Sequence, residues 1–201
     1  MVFRAFRAAA AALVILLATA PAHAQHFSDS FEFLDAVRKQ DGTKVMKLMT
    51  DTNGSIVNTK DRSSGEAALH IVAKNGDPVY LRYLIQKGAN PNIQDGAGNS
   101  PMMIAVNNGW DEGVGILITY HANVNLPNNS GETPLIRAVQ LRKKDLVVTL
   151  LAAGADPDRA DVIAGRSARD YAKADTRSPA IAKLLADAPK AGKSNIAGPH
   201  L

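Results

Sequence analysis

The histidine at position 70 is the residue of this sequence with the clearest chemical potential. It lies in the stretch GEAALHIVAKNG, residues 65–76, where apolar side chains flank it. An imidazole in such a place can act as a general base, bind a metal or form structural hydrogen bonds. Metal binding needs further ligands at short spacing, and His23, His26, His121 and His200 show no such pattern. His70 therefore has no metal partner in the sequence, and a catalytic or a structural role stays open.

The segment DTNGSIVNTKD, residues 51–61, alternates oxygen-bearing side chains in the manner of a calcium-binding loop. An EF-hand loop places glycine at its sixth position and a bidentate glutamate at its twelfth. Here Gly54 stands at the fourth position and Lys60 near the place of the glutamate, so the mismatch favours a polar loop without metal. The sequence also contains no Gly-x-Ser-x-Gly elbow, no P-loop and no His-Glu-x-x-His motif. It predicts no enzyme, no catalytic residue and no cofactor, with a metal-binding or enzymatic protein as the less favoured alternative.

Residues 1–24 have the composition of a bacterial secretory signal peptide. Two arginines precede an apolar run, which leads to the small-x-small cleavage site Ala22-His23-Ala24. We predict cleavage between Ala24 and Gln25 and a periplasmic location, with retention as a membrane anchor as the alternative. Cleavage lowers the net charge from +4 to +2, which gives no support to nucleic-acid binding. Because the chain contains no cysteine, its fold in an oxidising compartment must be stabilised by packing alone.

The elements that must position any site repeat along the chain. Gly65, Gly98 and Gly131 are 33 residues apart, and Gly165 follows after 34. Apolar residues recur at fixed distances from these glycines and form columns, among them Leu69/Met102/Leu135, Val72/Ala105/Ala138/Ala172 and Leu84-Ile85/Leu117-Ile118/Leu150-Leu151/Leu184-Leu185. A fixed period of this length indicates a solenoid, in which each unit buries its apolar face only against its neighbours.

Local signals predict two helices in each unit. Ser100-Pro101 and Thr133-Pro134 place a hydroxyl N-cap before a proline suited to the first helical position, and Ser167 can cap in the same way. Ala67-Ala68 lacks both signals. Glycines that can adopt positive φ follow the predicted helices at positions 76, 88, 109 and 154. His121 and Arg142 take the place of such a glycine in two units, and we expect strain at His121.

The repeated strings resemble the ankyrin motif. GETPLIRA at residues 131–138 and GNSPMMIA at 98–105 match at the proline, GEAALHIVA at 65–73 matches at the Leu-His pair, and KGANPN, YHANVN and AGADPD match the end of the motif. The resemblance implies an all-α solenoid of stacked helix-turn-helix units with projecting β-hairpin loops. It also implies that His70 is a structural hydrogen-bonding residue that ties neighbouring loops. Met103 and Ile136 stand at the equivalent positions, which is unlike a catalytic column.

The repeat pattern divides the chain into an ankyrin repeat domain over residues 25–188 and a flexible C-terminal tail over residues 189–201. Within the domain we predict about five units, at residues 31–60, 61–94, 95–127, 128–160 and 161–188. The first and the last unit depart from the pattern, as terminal capping units do. Arg169, Asp170 and Lys173 give the last unit a polar outer face.

Membership of this family would imply binding of another protein through the concave face, which the loop tips and the first helix of each unit form. We expect a monomer that binds neither nucleic acid nor, after signal cleavage, a membrane, and that supports a periplasmic enzyme. An inhibitor or immunity protein that blocks a toxic secreted enzyme is the alternative. Trp110 suits either an apolar anchor in the interface or a packing role. The residues predicted to bind the partner are Glu66, Lys74, Asn75, Gln94, Asn99, Asn107, Asn108, Trp110, Asn129, Glu132, Gln140 and Leu141.

Overall fold

The computed structural model describes residues 22–190, with side chains from residue 29 onward. Most of the predicted signal peptide and of the predicted tail lies outside the described residues. Within them the chain forms ten α-helices and no strand. The helices are α1 Ala22–Arg38, α2 Gly42–Asp51, α3 Ala68–Asn75, α4 Pro78–Gln86, α5 Pro101–Asn108, α6 Asp111–Thr119, α7 Pro134–Gln140, α8 Lys144–Ala152, α9 Ala168–Ala174 and α10 Pro179–Asp187. The first helix begins before the predicted start of the first unit, and it contains the predicted cleavage site.

The helices form two layers that run the length of the solenoid. The odd-numbered helices contact one another in chain order from α1 to α9, and α4, α6, α8 and α10 form a second series. Each odd-numbered helix also packs against the even-numbered helix that follows it. This arrangement confirms the predicted all-α solenoid. None of the helices between residues 22 and 190 has the length and apolar character that a membrane crossing requires.

The apolar columns form one continuous core between and within the layers. Leu69, Met102 and Leu135 are buried in the odd-numbered layer, as are the first members of the predicted aliphatic pairs at positions 84, 117 and 150 in the even-numbered layer. In the last unit the second member of the pair, Leu185, is buried instead, four residues after the buried Ile181. The two buried aliphatic residues of α10 are thus four positions apart, whereas those of α4, Leu81 and Leu84, are three apart.

The predicted helix caps are present. Ser100 and Thr133 accept hydrogen bonds from the N–H groups of Met103 and Ile136 at 3.2 and 3.3 Å, and a proline follows each cap. In the last unit Ser167 accepts from the N–H of Asp170, whose carboxylate accepts in turn from Ser167. These capping bonds satisfy backbone donors that no helix can satisfy internally.

The projecting loops are tight hairpin turns. Each is closed by a backbone hydrogen bond, such as the one from Asp61 N–H to the Glu66 carbonyl at 2.8 Å. Single β-bridges, Lys60 to Ala67 and Ala160 to Ser167, take the place of strands in the described residues. The tips stack on one another through backbone bonds from Gly96 to Ser64, Asn129 to Ala97 and Val162 to Ser130, at 2.9–3.1 Å.

Three asparagines, one in each of the first three units, form hydrogen bonds to the following unit at the far end of the helix pairs. The side-chain oxygens of Asn58, Asn92 and Asn125 each accept from a backbone N–H of the next unit at 2.7 Å. Asn58 and Asn125 also donate to the carbonyls of Gly88 and Gly154, both at 3.0 Å. The spacing of these asparagines is the repeat period, so the same bond recurs at the first three of the four junctions.

Left-handed backbone follows the helices where the sequence predicts it. Gly76, Gly88, Gly109 and Gly154 have φ between 65° and 93°. His121 and Arg142, which replace glycine at equivalent positions, have φ of 59° and 56°. A non-glycine residue in this region is strained, because its Cβ approaches the following carbonyl oxygen.

We predict that His121→Gly raises the free energy of unfolding by about 0.5–1 kcal/mol in chemical denaturation. The substitution removes the left-handed strain, and the greater entropy of glycine in the unfolded chain offsets part of that gain. Gly88→Ala is the matched control, since a Cβ there would meet nothing within 4 Å. It should lower stability by about 1 kcal/mol. An unchanged midpoint for both variants would contradict the strain at this position.

Candidate functional site

The concave face consists of the loop tips and the exposed sides of the odd-numbered helices. At its N-terminal end a hollow of about 260 Å³ is lined by Arg38, Glu66, Ile71, Lys74 and Asn75. Lys74 forms an ion pair with Glu66, which brings a tip residue against the helix. Three residues predicted from the sequence, at positions 66, 74 and 75, therefore lie together as expected for one surface.

Four of the predicted amide residues are engaged in bonds within the protein. The side-chain N–H donors of Gln94, Asn108 and Asn129 bind backbone carbonyls at 2.7–3.2 Å, namely Gly98 and Pro127, Ala73 and Lys74, and Gly96. Asn99 donates to the Asp95 carboxylate at 3.3 Å and accepts from Asn128 at 3.4 Å. These side chains connect tips and helix ends of adjacent units, so part of their hydrogen-bonding capacity is used in the stack.

Arg137 brings three of the predicted binding residues together. Its Nε donates to Asn107 Oδ1 at 2.5 Å and its Nη1 to Gln140 Oε1 at 3.3 Å. Glu132 Oε1 lies 3.9 Å from the same Nη1. We did not predict Arg137 from the sequence. Its position in the repeat could have indicated it, because an arginine stands there where the preceding units have the buried residues Ile71 and Ile104.

Trp110 and Leu141 lie at the turns between the helices of their units. The indole of Trp110 lies over Gly113, where an added Cβ would come within 2.0 Å of a ring carbon. The half-buried ring packs against the hydrophobic core. Leu141 is half-buried and ends α7. Of the two roles open to Trp110, this geometry supports packing, with Gly113 providing the space for the ring.

A polar cluster that the sequence did not reveal lies at the C-terminal end of the concave face. Tyr171 donates its hydroxyl to Asp161 Oδ2 at 2.7 Å. This bond is the main cause that lowers the pKa of the Asp161 carboxyl and raises the pKa of the Tyr171 hydroxyl. Asp161 also accepts from the N–H groups of Ile163 and Ala164, so it orders the last tip.

His70 is a structural residue between two tips. It is fully buried, its Nδ1 accepts from the Ala67 N–H at 3.0 Å, and its Nε2 lies 2.9 Å from the Asn99 carbonyl oxygen. Because the Ala67 N–H can only donate, Nδ1 carries no proton and Nε2–H donates to Asn99. The ring thus supplies part of the cap that the alanine at position 67 cannot provide. The bond from Nε2–H to the Asn99 carbonyl confirms the predicted tie between neighbouring loops.

Burial holds the pKa of His70 below its ordinary value of 6.5, although the hydrogen bond to the Asn99 carbonyl acts in the opposite direction. A protonated ring would place an N–H at Nδ1 against the N–H of Ala67. The neutral form therefore belongs to the folded state, and the stability that His70 contributes is fully present above pH 6.5. It is lost as the pH falls from there through the lowered folded pKa.

We predict that His70→Met lowers the free energy of unfolding at pH 7.5 by about 1–3 kcal/mol, because two buried hydrogen bonds are lost. It should also remove much of the decline in stability that we expect for wild type as the pH falls from 7 to 5. Ala67→Ser combined with His70→Met copies the native Ser100–Met103 pair, and should regain about 1 kcal/mol through the new cap. Urea melts across pH check both effects, and an unchanged pH slope in His70→Met would contradict them.

The last carboxylate of the loop at residues 51–61, that of Asp61, accepts hydrogen bonds from other groups of the protein. Asp61 accepts from the Ser63 hydroxyl at 2.6 Å, from the N–H groups of Ser63 and Ser64, and from Arg38 at 2.8 Å. These bonds, that of the Ser63 hydroxyl first, hold the pKa of Asp61 far below its ordinary value. No group of three His, Asp or Glu in the described part of the chain is placed to hold a metal ion.

A model of the family described as Ankyrin repeats matches the chain in three copies, over residues 33–126 and 69–161. The chain belongs to the ankyrin repeat family. A curated relative, the Nuclear factor NF-kappa-B p110 subunit of Drosophila melanogaster, is 35% identical over 49 residues. That match covers 24% of this chain and 5% of the relative, so the chain corresponds to a small part of that protein.

Membership of the ankyrin family indicates the general class of function to which the concave face belongs. Ankyrin repeats are protein–protein interaction modules and typically carry no catalytic activity of their own. Their partner-binding residues are exposed side chains on a stacked scaffold, which is how the Arg137 cluster and the N-terminal hollow of this ankyrin protein are placed.

Proposed function

We propose that this ankyrin protein binds a partner protein through its concave face in the bacterial periplasm and performs no chemistry itself. The observation that carries the proposal is the arrangement around Arg137. The Arg137 side chain is 36% exposed, and its guanidinium is held by an amide from α5, an amide from α7 and a tip carboxylate. Arginine is among the residues that contribute most to protein interfaces. An arginine that is already ordered loses less side-chain entropy when it binds.

The periplasmic part of the proposal rests on the sequence of residues 1–24. The arginine-flanked apolar run ends at a small-x-small site, and the chain contains no cysteine. Cleavage between Ala24 and Gln25 would remove only the first three residues of α1.

We predict that mass spectrometry of the protein from a periplasmic fraction finds Gln25 at its N-terminus. The small-x-small site is the reason, because signal peptidase recognises small residues at these positions. Ala24→Asp, which disrupts the site, should leave the precursor at the membrane. Recovery of the intact chain from the cytoplasm would contradict the proposed location.

We predict that Arg137→Ala lowers capture of the partner about tenfold in a quantitative pull-down after cross-linking in intact cells. Asn107→Ala and Gln140→Ala should weaken capture less, because each removes one support of the guanidinium. Arg82→Ala is the matched control, since Arg82 is 45% exposed on the even-numbered layer and is also paired with a carboxylate.

Thermal melts of the four variants should stay close to wild type, which separates binding from folding. Equal capture by wild type and the three concave-face variants would contradict the proposed surface. A loss of capture in Arg82→Ala alone would place the binding surface on the even-numbered layer instead.

A further inference from the structure

The C-terminal end of the concave face contains a groove across α7 and α9. Two hollows, of about 240 and 370 Å³, share the side chains of Gln140 and Tyr171 and lie on either side of this pair. The smaller hollow includes the tip residue Ile163 and the larger one includes Arg142 and Arg177. We call the combined hollow the C-terminal groove. Its two ends differ in chemistry: the apolar end carries Ile163 next to the carboxylates of Glu132 and Asp161, and the other end is basic.

The apolar end is the tip of the last unit. Val162 and Ile163 are 74% and 78% exposed, whereas the other tips carry Arg62-Ser63, Gly96-Ala97 and Asn129-Ser130 at the same place. Two adjacent aliphatic side chains exposed to water are less favourable than the same side chains buried. Exposed apolar groups rimmed by polar residues are typical of interaction sites.

The backbone at this tip is also open. The glycines of three tips, Gly65, Gly98 and Gly131, lie against the next tip, and a Cβ there would come within 2.6 Å of it. A Cβ at Gly165 would meet nothing within 4 Å. The carbonyls of Ser64, Ala97 and Ser130 accept from the next tip, and the Ala164 carbonyl has the same position with no donor among the described residues. A partner backbone can therefore reach this edge.

The basic end carries more positive than negative charge. Asp175 accepts from Arg142 Nε at 2.6 Å and from Arg177 Nε at 3.1 Å, so one carboxylate is shared by two guanidinium groups. The side chain of Arg177 is 72% exposed. Its remaining N–H donors suit a second carboxylate, because arginine binds carboxylates in a planar, two-bonded geometry.

The floor between the two ends is fixed in position. Tyr171 is held by its bond to Asp161, and the Arg166 guanidinium lies 5.9 Å from the centre of its ring. Gln140 is held by Arg137. A ligand that enters the groove meets an ordered aromatic ring and amide, so little side-chain entropy is lost there.

We propose that the C-terminal groove is the anchor site for a linear segment of the partner protein. This segment presents a large apolar side chain to Val162 and Ile163 and a carboxylate to Arg177. The anchor site presupposes the proposed use of the concave face, and it assigns the main specificity to one end of that face.

The test is selection of random linear peptides, displayed on phage, against the immobilised full-length chain. Peptides that carry an apolar residue followed or preceded by Asp or Glu should be enriched. Synthetic versions should bind Ile163→Ser and Arg177→Gln about tenfold more weakly than wild type in fluorescence anisotropy. Both side chains are largely exposed, so melts of these variants should match wild type. Val79→Ser and Arg82→Gln are the controls, because Val79 is 73% exposed and both lie on α4.

A double-mutant cycle tests the charge pairing itself. Replacement of the peptide's acid by its amide should weaken binding to wild type but hardly change binding to Arg177→Gln. Independent losses, or enrichment no greater on wild type than on a variant that combines Ile163→Ser with Arg177→Gln, would overturn the anchor site.

The same peptides separate this site from the general function. Binding that is lost in Arg137→Ala but unchanged in Ile163→Ser and Arg177→Gln would overturn the C-terminal groove and leave the concave face intact. Binding that is lost only in Val79→Ser or Arg82→Gln would overturn both.

Discussion

Contact between neighbouring units is the interaction on which this structure depends. A single helix pair cannot enclose its own apolar column, so Leu69, Met102 and Leu135 are buried only because the next pair covers them. In such an array stability is close to a sum of terms for units and junctions. The core therefore constrains a few columns, and it leaves the side chains on the concave face free to differ between units. Function can vary along the face without a change in the fold.

The polar groups divide between holding the stack and facing a partner. The repeated asparagines at positions 58, 92 and 125 bind the backbone of the following unit at the first three junctions, and the amides of Gln94, Asn108 and Asn129 act in a similar way. Such side chains are already bound and present few donors to a ligand. Arginine has five N–H donors, so Arg137 can bind Asn107 and Gln140 and still present others outward. This division explains why the groups available to a ligand on the concave face belong to arginine and tyrosine rather than to the abundant amides.

Features with a local cause could be predicted from the sequence. The columns follow from periodicity, the caps at Ser100, Thr133 and Ser167 from side-chain chemistry next to the helix, and the positive φ of His121 from the glycines at equivalent positions. The tie made by His70 came from the family resemblance, and the geometry shows its cause in the missing hydroxyl at Ala67.

Two of the missed features join residues about one repeat apart through side chains whose direction the period does not give. Arg137 stands in a column of isoleucines, and only the offset between α5 and α7 places its guanidinium on Asn107, 30 residues earlier. Asp175 and Arg142 are 33 residues apart and meet for the same reason. Trp110 shows the converse, because its ring fills the space that Gly113 leaves, a contact within one turn that sequence alone did not distinguish from exposure.

The exposed tip of the last unit is not explained by the end of the stack. In the last unit that the structure describes, Arg169 takes a position that is apolar in the preceding units. It stands in the column of Leu69 and Leu135, and it donates to Asp158 at 2.6 Å and to the carbonyls of Ala188 and Pro189 at 2.8 Å. At this end of the stack the helical layer therefore carries a polar residue. The tip, in contrast, carries Val162 and Ile163 where the tips of the other units are polar or small. This contrast within one unit, a polar residue in the helical layer and two exposed aliphatic residues at the tip, is the reason for the proposed anchor site.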